Sequence, residues 1–133
     1  MVQDHPSVLF VEQDREDLDR ILLEIEPILY SISLRSPGAI CEYAIKWRPD
    51  VIVLSDRVTF RKKRAPAFLA ALREVYSGPI LILTDCLSEN EVALWKERGA
   101  TDCILHPTRF RDRLDHMTQR ILDVTAPDYS KTP

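Results

Sequence analysis

Polar side chains suited to ligand chemistry stand at four places in this sequence, each directly after a short apolar run. Val8-Leu9-Phe10-Val11 gives way to Glu12-Gln13-Asp14, and Val51-Ile52-Val53-Leu54 gives way to Ser55-Asp56. Ile80-Leu81-Ile82-Leu83 ends in Thr84-Asp85, and Cys103-Ile104-Leu105 ends in His106-Pro107. Carboxylates suit a hard cation such as Mg²⁺, and hydroxyls supply hydrogen bonds. An imidazole, with an ordinary pKa near ~6.5, gains a proton more readily when carboxylates stand beside it.

The elements that must position these groups follow from hydrophobic patterning. Continuous apolar runs that stop abruptly at polar residues read as strands buried on both faces. Tyr30 to Arg35 alternates with a period of two and reads as a strand nearer the sheet edge. Helical faces lie between the strands. Leu18, Ile21, Leu22 and Ile25 form the first, with Pro27 near its end. Ile40, Tyr43, Ala44 and Trp47 form the second, broken by Arg48-Pro49-Asp50. Pro66 suits the opening turn of the third, whose face is Phe68, Leu69, Leu72 and Val75. Ser88 and Glu91 have the spacing of a capping box before the fourth, which carries Val92, Ala93, Leu94 and Trp95 and meets Gly99 as its C-cap. Phe110, Leu114, Met117, Ile121 and Leu122 mark the fifth. Arg57 to Arg64 reads as a loop holding the basic run Arg61-Lys62-Lys63-Arg64.

Five strands alternating with five helices predict an α/β fold, a doubly wound parallel sheet covered by helices on both faces; if it is the flavodoxin-like (βα)5 form, the strand order is 2-1-3-4-5. In that order the first, third, fourth and fifth strands lie close together, and the four polar groups converge beyond their carboxyl ends, where such sheets bind ligands. One domain is expected over residues 7–125, with short flexible termini at 1–6 and 126–133.

Composition narrows the function. The chain has 133 residues and a formal net charge of -3, so nucleic acid is not an expected partner. The basic run by itself does not alter this, because no base-stacking aromatics are interleaved with it. No apolar run approaches the roughly 20 residues of a membrane span, and the N-terminus lacks a signal pattern. The expected location is the cytoplasm, without membrane contact. Cys41, Cys86 and Cys103 show no metal-ligand spacing and read as reduced thiols.

The ordered set Glu12-Gln13-Asp14, Ser55-Asp56, Thr84 and His106-Pro107 resembles the response-regulator receiver domains (CheY-like) of bacterial two-component signal transduction. Pro49-Asp50-Val51-Ile52-Val53-Leu54 resembles their third strand, and Gly99-Ala100-Thr101-Asp102 their approach to the fifth. The similarity runs from Ser7 to about Val124. The resemblance implies a non-enzymatic signalling domain with an aspartate that accepts a phosphoryl group from a histidine kinase, beside Mg²⁺.

Departures from the family pattern point to a pseudo-receiver. Gln13 stands where the family has its second acid, so Mg²⁺ binding by Glu12, Gln13, Asp14 and Asp56 is expected to be weak. The candidate phosphoacceptor is Asp56, selected by counting back from Thr84; Ser55, selected by counting from Pro49, is the competing position, and neighbouring strand residues face opposite ways. His106 replaces the family's lysine, and Cys103 replaces the aromatic residue that partners the switch hydroxyl, here Thr84. The expected function is a stand-alone atypical receiver acting by contact with a kinase or another signalling protein, or by forming a homodimer. The contact face implied by the family is that of the fourth helix, fifth strand and fifth helix, with Trp95, Cys103, Arg109 and Arg111. Two alternatives remain: a weak but functional phosphoacceptor at Asp56, and a small nucleotide or flavin binder. The latter lacks a GxGxxG, a P-loop and a nucleophile elbow.

Overall fold

The computed structural model describes residues 6–12, 16, 19–20, 30–34, 39–56, 59–60, 63–85, 87–105 and 111–125, with side chains at 30–34, 59–60, 63–68 and 111–115 outside the description. Strands β1 (Ser7–Val11), β2 (Tyr30–Leu34), β3 (Val51–Ser55), β6 (Ile80–Thr84) and β7 (Asp102–Leu105) form one sheet in the order β2-β1-β3-β6-β7. Every neighbouring pair in it is parallel. This is the order expected of the flavodoxin-like form. Helices α1 (Ile40–Trp47), α2 (Ala65–Val75), α3 (Glu89–Glu97) and α4 (Arg111–Thr125) are the described helices with defined bounds. Asp19 and Arg20, within the stretch predicted as the first helix, and Glu16 just before it also have helical backbone.

Strand alternation divides the core into two layers. Leu9, Val11, Ile52, Leu54, Ile80, Ile82 and Cys103 face one way and pack with Ile40 and Ala44 of α1, Leu69 and Leu72 of α2, and Trp95 of α3. Val8, Phe10, Val51, Val53, Leu81, Leu83 and Ile104 face the other way and pack with Met117 and Ile121 of α4. A period of two with both sets apolar is what a doubly covered parallel sheet requires.

One sequence expectation is corrected here. The stretch read as a loop after β3 contains a short antiparallel hairpin, β4 (Thr59–Phe60) with β5 (Lys63–Arg64), in which Phe60 pairs with Lys63. Thr and Phe favour extended backbone, but two-residue strands are too short to show a periodicity. A second correction concerns α2: Val75 is exposed and the buried residue beyond it is Tyr76.

The elements are tied together at the amino-terminal edge of the sheet. Asp50 Oδ2 accepts from the Ser7 amide at 2.8 Å, fixing the start of β1 to that of β3. The Tyr76 hydroxyl donates to Pro49 O at 2.9 Å. Arg73 of α2 donates to three carbonyls, those of Gly99 (2.7 Å), Tyr76 (3.1 Å) and Gly78 (2.5 Å). Gly99 has φ +119, a region that side chains rarely adopt, and a Cβ there would sit 2.9 Å from Arg73 Cγ. The capping role expected of Ser88 is present, with its hydroxyl accepting from Glu91 N. Asp102 pairs with Lys96 of α3 and with Arg120 of α4, holding β7 to a helix on each side.

Candidate functional site at the carboxyl ends of the strands

Three adjacent strands bring polar side chains to one end of the sheet. Val11 pairs with Leu54, and Ser55 with Leu83. Glu12 therefore follows β1 beside Ser55, while Thr84 ends β6 beside Asp56. The Asp56 amide continues the ladder by donating to Leu83 O at 2.9 Å.

Burial separates these groups. Glu12, Ser55 and Thr84 are exposed by 1%, 0% and 2%, and they are the buried polar residues among those described. Asp56 is half-buried and Asp85 exposed. A buried carboxylate and two buried hydroxyls require polar partners, and each of the three has a hydrogen-bonding or electrostatic interaction. Glu12 and Ser55 continue the alternation of Phe10 and Val53, toward the α4 layer. Thr84 and Asp56 continue that of Ile82 and Leu54, toward the layer of α1, α2 and α3. The strand ends thus carry two side-by-side pairs, Glu12 with Ser55 and Thr84 with Asp56.

Gln13, Asp14, His106, Arg109 and Cys86 lie outside the described residues, as does the Arg111 side chain. Among the described residues, no three His, Cys, Asp or Glu side chains come together to hold a metal ion. Of the four candidate Mg²⁺ ligands, Glu12 and Asp56 are described, at the carboxyl ends of the neighbouring strands β1 and β3; carboxylates at such a place suit a hard cation, with Gln13 and Asp14 outside the described residues.

The partner-face residues need correction. Trp95 is 6% exposed and packs in the core against the sheet, so its ring is not presented as an anchor. Cys103 is buried in the same layer. The Trp95 reading rests on position along the chain, which does not set the rotation of α3 about its axis; Cys103 lies on β7 and its side of the strand faces the core. The apolar residues that do face outward there are Leu94, 45% exposed, and Leu87 before the helix. The capping residue Ser88 fixes where α3 starts, and counting a helical period of 3.6 from Val92 and Trp95 as the inner face would have placed Leu94 outside.

Burial pushes the Cys103 thiol up from 9.0 to about 11, with the Asp102 carboxylate adding to the effect. Burial likewise raises the Tyr76 phenol above its ordinary 10.0. Both groups are held protonated in the fold more strongly than in the unfolded chain. Above pH 9 the unfolded state releases protons that the folded state keeps, so stability falls as pH rises from 9 through 11. Thermal melts across this alkaline range are expected to show a falling Tm, and Cys103→Ala is expected to flatten the lower part of the decline. A Tm constant across the range would mean that these groups ionise as freely in the fold as outside it.

No family model matches the chain, and no curated protein does. Solved structures share its fold. The receiver domain of the Francisella response regulator 1452 is 18% identical with a TM-score of 0.77, and the match covers 91% of this chain and 97% of that one. The response-regulator domain of Thermotoga maritima CheB is 16% identical with a TM-score of 0.75, covering 97% and 99%. A response regulator from Burkholderia pseudomallei, whose structure holds a phosphorylated aspartic acid, a calcium ion and citrate, is 13% identical with a TM-score of 0.70, covering 95% and 69%. The chain resembles response-regulator receiver domains and has their flavodoxin-like fold. Among the described residues no helix is long and apolar enough to cross a membrane.

Proposed function

We propose that this chain is a receiver-type signalling module that works by protein contact, without the aspartyl phosphate on which receiver domains ordinarily depend. The observation that carries this reading is the buried polar set at the strand ends. Beside buried Glu12, the last residue of β3 is Ser55, a hydroxyl where counting from Pro49 puts the family's aspartate. A serine hydroxyl forms no acyl phosphate. Output then rests on surface recognition by a separate signalling protein, and the exposed Leu87 and Leu94 on and before α3 offer the apolar anchor that Trp95 does not.

A second reading keeps phosphorylation at Asp56. It is favoured by the half-buried position of this carboxylate beside Thr84, whose hydroxyl would hold a phosphoryl oxygen. A histidine kinase would be the donor.

Titration with beryllofluoride and Mg²⁺, followed by amide NMR shifts, separates the two. The expected result is no saturable shift at Ser55, Asp56 or Thr84 up to millimolar ligand. Saturable shifts at Asp56 and Thr84 that vanish in Asp56→Asn would overturn the first reading and establish the second.

A further inference from the structure

We propose that the outer face of α1, together with the groove between α1 and α2, is where a second copy of this chain docks, with the two α1 helices antiparallel about a two-fold axis. The face lies apart from the strand-end site, toward the amino-terminal edge of the sheet.

The case begins with exposed apolar surface. Ile45 is 55% exposed, and Trp47 and Val75 are also open to solvent. Ile45 and Val75 line a cavity of about 490 Å³ with Ala44, Arg48, Pro49 and Tyr76. On the other flank of α1, Tyr43 and Trp47 stack with ring centroids 6.5 Å apart. Apolar surface on both flanks of a short helix is unusual for a face that meets only water.

Charge chooses the occupant. At 100° per residue, Glu42 and Lys46 lie one turn apart on the outermost line of α1, between the two apolar flanks. Among the described residues no salt bridge joins either of them to another side chain; Lys46 instead reaches over the Trp47 ring, 5.9 Å from its centroid. A two-fold axis through the middle of α1 sets Glu42 of each copy against Lys46 of the other. The helix is thus complementary to itself when antiparallel, as an isologous interface requires. A uniformly acidic or basic partner would meet one like charge for each opposite one.

Sedimentation velocity from micromolar to millimolar concentration tests this, with circular dichroism to confirm that each variant folds. Wild type is expected to dimerise reversibly. Glu42→Lys and Lys46→Glu each set like charges together at two symmetric places, and each is expected to weaken the dimer by about tenfold or more. An equimolar mixture of the two variants restores both opposite-charge pairs and is expected to associate as tightly as wild type. Ile45→Asp is expected to abolish association in every combination. A wild type that stays monomeric at millimolar concentration overturns the proposal and leaves this face to a different protein. Single charge variants that dimerise like wild type, or a mixture that associates no better than its components, overturn it as well.

Discussion

Phe10→Ala is expected to destabilise the fold by about 3–5 kcal/mol, the cost of removing a buried aromatic side chain together with the cavity it leaves. Among the described residues Phe10 is the largest fully buried side chain. It sits in β1 between β2 and β3, on the face that packs with Met117 and Ile121 of α4. Its neighbours on that face are themselves anchored in strands, so the layer cannot collapse into the space. A domain of this size is stable by about 5–15 kcal/mol, so the variant would lose a large part of the margin. Urea denaturation with matched m-values gives the number, and Leu94→Ala, at an exposed site, serves as the control with a change within about 0.5 kcal/mol. The consequence reaches the site, because Glu12 is two residues beyond Phe10 on the same alternation. A loss under about 1 kcal/mol would mean that α4 shifts to refill the layer, and that the buried position of Glu12 does not depend on it.

Arg73→Ala carries the second-largest expected effect, about 2–3 kcal/mol, for a different reason. Its guanidinium donates to the carbonyls of Gly99, Tyr76 and Gly78 and reaches the Thr101 hydroxyl at 3.4 Å. These acceptors belong to the turns that lead into β6 and β7. Hydrogen bonds from a charged donor contribute about 1.5–3 kcal/mol each, but partial exposure lets water replace some of them, and this sets the total below the sum. Arg73→Lys tests the mechanism more sharply. An ammonium keeps the charge but lacks the planar fork that spans several carbonyls. Lys is therefore expected to recover less than half of the loss in urea denaturation. A lysine variant as stable as wild type would mean that the charge, not the fork, holds these turns.

Both expectations draw on features that differ in how visible they are from the chain alone. Phe10 is apparent at once, in an apolar run of four followed by acids. Arg73 looks like any charged residue on a helix, and only the approach of Gly99 and Gly78 in space gives it its partners. The same contrast runs through the candidate site. The acids and hydroxyls that follow the apolar runs are evident in the sequence, and the strand order brings Glu12, Ser55, Asp56 and Thr84 to one end of the sheet. Whether Ser55 or Asp56 belongs with Glu12 turns on the register between β1, β3 and β6, which composition does not encode.

The sequence by itself determined the alternation of strands and helices, the parallel sheet that this alternation requires, and the set of polar residues that follow the apolar runs. These are consequences of local periodicity and chain connectivity, which act along the chain. The tertiary structure decided the matters that depend on rotation and register. It turned Trp95 inward and Leu94 outward on α3, because the inner face of a helix is set by the sheet it packs on. It drew β4 and β5 into a hairpin too short for any periodicity to show. It buried Ser55 completely while leaving Asp56 half-open, because β3 ends at Ser55 between two neighbouring strands and the chain leaves the sheet one residue later.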